Sequence, residues 1–292
     1  MTSSAAAIEA AMPELRTWIG RKRVVEDEMG LTSVRRVAAM LDLDPETFHV
    51  GTPLPSHWFP MFFPDIVRQS QLGPDGHANK GVVLPPIPLP RRMGAGRKVR
   101  LMGNLKAGVP ATRTTEAIAI EPKHGRSGTT VLLTLRQTFE TEGKVVAVED
   151  FDALYREAVP PGQKTTMSPP QPAPKDAAWT ATTLLTNTLV FRYSAVTWNA
   201  HRIHYDADYC RSEEGYPAVV HNGGLTMQLM LDHALKHVPG TLTAFSARLV
   251  RPFWAGDPLI VSGHAARDGK LSCWASDKEG ALCGNMEIEY QA

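Results

Sequence analysis

The chain has 292 residues, a net charge of +1, 43% hydrophobic residues and 21% charged residues. This allows one large globular domain or two of ordinary size, and the near-neutral charge offers no overall pull toward nucleic acid or an anionic membrane surface. No apolar run approaches the roughly 18 residues of a membrane span, and Cys210, Cys273 and Cys283 are too few and too scattered for a disulfide framework or a structural zinc site. Such thiols fit a reducing compartment. The N-terminus carries Glu9 and Glu14 and has no basic start ahead of an apolar core, so it reads as neither signal nor transit peptide, and the expected location is the cytoplasm.

In chain order, LTSVRRVAAMLDL (31–43) sets Val34, Val37, Ala38 and Leu41 on one face and predicts a helix. SHWFPMFFPDIV (56–67) predicts a buried helix entered or broken at Pro60 and Pro64, with Trp58, Phe59, Phe62 and Phe63 in the core. Residues 73–96 are rich in Gly and Pro and predict a long loop. RRMGAGRK (91–98) reads as solvated loop charge or as a phosphate or carrier-protein contact; its Gly94-x-Gly96 is no dinucleotide fingerprint, because no βα turn surrounds it. Strands follow over 98–108, 111–122, 128–143 and 144–156, rich in Val, Thr and Ile and separated by Gly or Pro.

Residues 158–179 hold six prolines and almost no aliphatic side chain, the composition of a linker. The expected organisation is therefore an N-terminal domain 1–157, a linker 158–179 and a C-terminal domain 180–292. The second half repeats the plan of the first: a predicted strand at 182–197, a helix at 222–238, then strands within 244–256, 257–269, 270–280 and 281–292. VRLMGNLKAG (99–108) lies beside ARLVRPFWAG (247–256) at a constant offset of 148, which points to duplication. A long helix followed by antiparallel strands gives an α+β fold with a sheet wrapped on a central helix. Two such units can join edge to edge and so cover exposed strand edges.

WNAHRIHYD (198–206) has two histidines three apart, with an asparagine ahead of them and an aspartate behind. As a metal site, His201, His204 and Asp206 lack a distant partner set, with His221 the one further candidate, so no metal is expected. As a polar turn, Asn, His and Asp bond local backbone. As a catalytic site, it has a companion in His221-Asn222-Gly223-Gly224, where glycines open the mouth of the central helix and free N–H groups favour an oxygen bearing negative charge. A base beside such donors is what addition of water to an α,β-unsaturated thioester requires.

FRYSAVTWNAHRIHYDADYC and EGYPAVVHNGGL, with SHWFPMFF and PPIPLPRRMGAGRKVRL, resemble the MaoC-like (R)-specific enoyl-thioester hydratase/dehydratase family. The similarity is to its double hot-dog branch of mitochondrial-type 3-hydroxyacyl-thioester dehydratases and mesaconyl- and itaconyl-CoA hydratases. The resemblance implies two fused hot-dog domains, the second catalytic. It also implies reversible hydration of an enoyl-CoA, of a short or branched dicarboxylic kind such as mesaconyl- or itaconyl-CoA, with no metal or redox cofactor. It assigns His204 as base, Asn199 in place of the family's aspartate, and Gly223 as oxyanion donor, with Gly224, His201, Arg202 and His221 around the substrate. His201 is read as a supporting residue, His221 as shaping the turn, and Asp206 and Asp208 as helix-start carboxylates.

Arg202, Arg248 and Arg251 are candidates for a substrate carboxylate or the CoA phosphates. No Gly-x-Ser-x-Gly is present, so an α/β-hydrolase lacks its nucleophile. The rival readings are a carrier-protein dehydratase, a hot-dog thioesterase using Asp232 and His233 on the central helix, and a catalytically silent binding subunit. Strand edges left open by the fold make a homodimer the expected state.

Overall fold

The computed structural model describes residues 4–125, 128–160, 162–167 and 169–291; Pro161 and Ser168 of the predicted linker lie outside the described residues. Ten strands form one sheet in the order β1-β3-β4-β5-β2-β7-β10-β9-β8-β6. In the first half these are β1 (Lys22–Asp27), β2 (Arg91–Leu101), β3 (Ala111–Gly125), β4 (Gly128–Thr141) and β5 (Lys144–Arg156). In the second half they are β6 (Trp179–Leu184), β7 (Thr241–Leu249), β8 (Pro258–Gly263), β9 (Lys270–Ser276) and β10 (Leu282–Gln291). The helices are α1 (Ser4–Arg16), α2 (Leu31–Met40), α3 (Asn187–Val196), α4 (Ala207–Ser212) and α5 (Gly223–Leu235).

Read outward from its centre, the sheet has the same sequence on both sides: β2-β5-β4-β3-β1 on one, β7-β10-β9-β8-β6 on the other. The halves join where β2 pairs antiparallel with β7, Gly96 opposite Arg248 and Val99 opposite Phe245. These are the segments that share the offset of 148, so the sheet closes on the duplicated element itself. The bonding beyond each strand repeats too. Leu54 N–H donates to the Leu105 carbonyl and His221 N–H to the Phe253 carbonyl, both at 2.8 Å, while Pro53 bridges Lys106 and Val220 bridges Trp254.

That correspondence places SHWFPMFF where the second half has α5. The expected helix does not form: one 3-10 turn spans Phe59–Met61, and Phe62 is already extended. Pro60 stands at the start of that turn, and Pro64 disfavours helical backbone at Phe63, which takes φ 60°. The aromatic rings still do the work of a core helix: Phe59 and Phe63 pack on Phe139 of β4, and Trp58 stacks on Phe48. Along β4, Val131, Leu133, Leu135 and Phe139 are buried on alternate positions, as a half-covered strand requires. α1, not anticipated from the sequence, supplies Ile8 and Leu15 to the cluster around Val131 and Leu133.

α5 is apolar nearly all round, Leu225 through Leu231 being buried, so it runs through the core of the second half against Leu259, Val261, Leu271 and Met286. Two further expectations change. The predicted strand at 182–197 ends at Leu184. Thr186 then caps α3, its hydroxyl accepting from Leu189 N–H, and Val190 and Tyr193 recur at helical spacing on the buried face. The predicted loop at 73–96 ends earlier, because β2 begins at Arg91 and carries Gly94 and Gly96 within a bulged strand. Between β5 and β6 the chain is held to the second half, Thr165 N–H donating to the Gly215 carbonyl and Leu282 N–H to the Gln171 carbonyl.

Phe139 joins the aromatic segment to the sheet, so Phe139→Ala is expected to cost about 3–5 kcal/mol in urea unfolding. A loss below about 1 kcal/mol, the level of a surface change, would show that the aromatic cluster is not the core of this half.

Candidate active site

α3 ends at its C-cap Thr197. Trp198 follows with φ 54°, and Asn199 N–H donates back to the Ser194 carbonyl at 2.8 Å, a Schellman-type stop. The left-handed residue turns the chain sharply and starts the histidine segment. Asn199 Oδ1 accepts from His201 N–H at 3.0 Å, a 3-10 turn spans Arg202–His204, and Asp206 caps α4 by accepting from Tyr209 N–H. The polar-turn bonding expected of Asn199 and Asp206 is thus present, and it aims the imidazoles inward: His201 is 6% exposed and His204 9%.

His204 Nδ1 lies 2.8 Å from the Val220 carbonyl. A carbonyl only accepts, so Nδ1 carries the proton and Nε2 the lone pair. Burial pushes His204 down to about 4, with the nearby His77 adding to the effect against the backbone bond. His221 is arranged the same way. The Thr226 hydroxyl donates to the Asn222 carbonyl and accepts from His221 Nδ1 at 2.8 Å; Nε2 is buried without a hydrogen-bond partner. Burial brings His221 to about 3. Both neutral rings line one cavity of about 1790 Å³, which runs between the two halves of the sheet, His221 with its acceptor nitrogen buried.

The mouth of α5 opens on the same cavity. Its first intrahelical bond is Thr226 N–H to the Asn222 carbonyl, so the N–H groups of Gly223, Gly224 and Leu225 have no partner within the helix. A Cβ on Gly224 would sit 2.3 Å from the Tyr193 hydroxyl, whereas one on Gly223 would meet only the flexible tip of Leu249 at 3.1 Å. Gly224 therefore permits a close approach that no other residue allows. Burial raises Tyr193 to about 12 and keeps its hydroxyl protonated beside this mouth.

The structure brings His201, His204, His221, Asn199, Gly223 and Gly224 to one cavity, and Arg248 and Arg251 line it as well. Arg202 is not among them. Its guanidinium donates to Asp206 at 2.7 and 3.0 Å and to the Pro74 carbonyl, so it locks the turn from outside and is not placed to touch substrate. Asp232 and His233 also lie outside the cavity: Asp232 accepts from His57 and Gln228, and His233 meets Thr183.

Three residues of the first half also line the cavity: Asp75 and His77, which were not anticipated, and Arg92, from the RRMGAGRK segment expected as solvated loop charge or as a phosphate or carrier-protein contact. The loop 73–81 docks on the histidine turn, Arg202 N–H donating to the Asp75 carbonyl at 2.8 Å. Gly76 (φ 87°) comes so close that a Cβ would fall 1.9 Å from the Ala200 carbonyl oxygen. The loop delivers His77, whose ring lies 4.0 Å from that of His201 at a tilt of 39°, while Asp75 accepts from both its backbone N–H and Nδ1. Arg92 follows on β2. The sequence signal was PDGHANK, a turn carrying one carboxylate and one imidazole; nothing local says that it faces a histidine more than 120 residues away.

Burial alone would raise Asp75, but His77, and Arg92 to a lesser degree, hold it below its ordinary value. Burial, His77, His204 and Arg92 all push His201 down. Donor atoms of Asp75, His77 and His201 lie within 4.8 Å of one another, a set that could take a cation, although the Arg92 charge beside it opposes one.

Neutral imidazoles and the open N-terminus of a core helix thus line one cleft between the two halves of the sheet. The family model of hydroxyacyl-thioester dehydratase type 2 matches residues 56–255. The chain is 38% identical over 272 residues to mesaconyl-C(4)-CoA hydratase of Chloroflexus aurantiacus, covering 93% of this chain and 96% of that protein. A MaoC-like dehydratase from Phytophthora capsici shares the fold at a TM-score of 0.71 and 14% identity, over 95% of this chain and 97% of the other. A double-hotdog protein of Mycobacterium tuberculosis does so at 0.56 and 14%, over 93% and 96%. The chain belongs to the hydroxyacyl-thioester dehydratase type 2 family and is a hydro-lyase of double hot-dog fold.

His201, His204 and His221 are neutral when folded and would titrate near 6.5 once exposed. Their folded values are depressed, so the unfolded chain binds more protons below pH 6.5, and stability present above that pH is lost as it falls. The expected loss at pH 5 approaches about 2 kcal/mol for each ring. Urea midpoints at pH 7 and pH 5 measure it, and equal midpoints would contradict neutral burial.

Proposed function

We propose that this enzyme reversibly hydrates a short, branched dicarboxylic enoyl-CoA of the mesaconyl-CoA type. The observation that carries the reading is the His204 ring, fixed by Val220 with Nε2 as acceptor, in one cavity with the unpaired N–H groups of Gly223 and Gly224. The dicarboxylic acyl group is suggested by the relative that is 38% identical over almost the whole chain.

In the hydration direction, His204 Nε2 takes a proton from water as the water oxygen bonds to the β-carbon. The π pair moves through the α-carbon to the thioester oxygen, which the first-turn N–H groups of α5 receive. The imidazolium then returns its proton to the α-carbon, so water is consumed and no net charge is left. Asn199 cannot exchange a proton near neutral pH; with Oδ1 taken by His201, its amide N–H groups remain to orient water or the carbonyl. His221 stays a neutral acceptor that keeps a second positive charge away from His204. These steps use protein groups alone and call on no metal or redox cofactor. Cytoplasmic location and a homodimer are part of the same proposal; β1 and β6 each leave one sheet edge for pairing.

The direct test mixes the protein with mesaconyl-CoA and crotonyl-CoA and follows enoyl absorbance and free thiol together. Absorbance should fall with the thioester intact; thiol release would make the enzyme a thioesterase. His204→Ala should lower kcat by about 100- to 10,000-fold in a folded protein. Asp232→Ala should hydrate at near the wild-type rate, and a large loss there without unfolding would move the chemistry onto α5.

A further inference from the structure

We infer that Arg92 binds a second carboxylate carried by the substrate on its β-carbon, the carbon that receives the water. This rests on the dicarboxylic reading above and gives it a residue. In a four-carbon dicarboxylic enoyl thioester the free carboxylate is attached directly to the β-carbon. With the thioester oxygen at the mouth of α5 and the water on His204, that carboxylate must point past the histidines, away from the helix. The wall on that side is the loop 73–81 together with β2. Arg92 stands there opposite Tyr155 of β5, and cross-strand partners share a face of the sheet. Arg92, Tyr155, His77 and His201 all line the cavity.

Lys80 of the same loop also lines the cavity, but its ammonium is a single point charge on a flexible stem without the planar fork, and most other cations near the cleft are committed or lie elsewhere. Arg91 donates to Glu214 and Thr165, Arg97 pairs with Glu149, and Arg23 and Arg113 both pair with Asp65. Arg248 and Arg251 flank Leu249, whose Cδ1 faces Gly223, and so belong to the thioester side. Arg92 has no carboxylate within ion-pair distance among the described residues. Asp75 is close enough to feel its charge, but both Asp75 oxygens are turned to His77, at 2.9 and 3.0 Å. Arg92 shares a side-chain hydrogen bond with the Tyr155 hydroxyl but meets no carboxylate, so its planar guanidinium keeps further donors in a partly buried wall, the group that takes a carboxylate through two parallel hydrogen bonds. Arg202, the arginine nearest the base in sequence, is excluded by its own bonds to Asp206.

The test compares wild type with Arg92→Gln and Arg92→Lys. Calorimetry would measure the binding of succinyl-CoA, which carries its carboxylate on the same carbon, against butyryl-CoA, which has none. Kinetics would measure kcat/KM for mesaconyl-CoA against crotonyl-CoA. Arg92→Gln should lower the succinyl-over-butyryl preference by about 10- to 100-fold. Arg92→Lys, which keeps the charge and the fold but not the fork, should lose less. An unchanged preference in both variants overturns the assignment, as does equal weakening of both ligands, which would place Arg92 on the CoA part or in the scaffold. The two readings separate cleanly. If wild type selects succinyl-CoA through Arg92 but does not hydrate mesaconyl-CoA, the proposed reaction falls and the carboxylate site stands. If mesaconyl-CoA is hydrated and Arg92→Gln keeps the full preference, the reaction stands and Arg92 is wrong.

Discussion

The site exists because β2 and β7 pair. That seam turns two five-stranded halves into one sheet, and the cavity runs between what the halves carry. It tolerates little: a side chain at Gly96 would fall 2.9 Å from the Ala247 carbonyl oxygen, against the backbone to which Gly96 is joined. Without the seam, the helix mouth and histidine turn of the second half would face solvent, and the loop 73–81 would have nothing to dock on. Burial is the agent that matters here, since it keeps His204 and His221 neutral with Nε2 available as an acceptor.

Division of labour between the halves follows from one difference. Both have a strand pair leading into the position of the core helix, with matching backbone bonds at Leu54 and His221. In the second half Asn222-Gly223-Gly224 starts a true helix with open N–H donors. In the first half two prolines reduce it to a single 3-10 turn, and bulky rings fill the space that a helix would occupy. Among the described residues the first half has no equivalent open helix start, and it forms one wall of the cavity with Asp75, His77 and Arg92. A duplicated fold that keeps one site can spend the freed half on recognition.

Substitution of the family's aspartate by Asn199 is less disruptive than it looks in sequence. The side chain still holds the turn by accepting from His201 N–H. It brings no charge of its own, and burial leaves His204 near 4. Asp75 supplies a carboxylate one ring further out, bound to His77, whose ring packs tilted against His201, and its charge is met by His77 and Arg92.

Much of this was legible in the chain itself. Alternating Val, Leu and Thr marked most of the strands because a half-covered sheet has a period of two, and the run from Leu225 to Leu235 marked a helix, largely apolar and following the Asn222-Gly223-Gly224 start. The offset between 99–108 and 247–256 announced the duplication, and the NxHRIHYD and HNGG segments drew attention to His204 and the glycines because few folds have use for such clusters. Where sequence reasoning failed, the deciding forces were not local. β-branched and aromatic residues at 182–197 favour a strand in isolation, yet the Thr186 cap and the packing of Val190 and Tyr193 make a helix. Arg202 sits beside the base in sequence but is drawn outward by Asp206, four residues on. His77 and Arg92 reach the site only because two strands distant in sequence share hydrogen bonds, and a pairing between halves has no signature in the residues on either side of it. The chain by itself determined most of the strands, the core helix and the repeat; only the assembled sheet decided which charges surround the buried histidines, because those charges come from the opposite half.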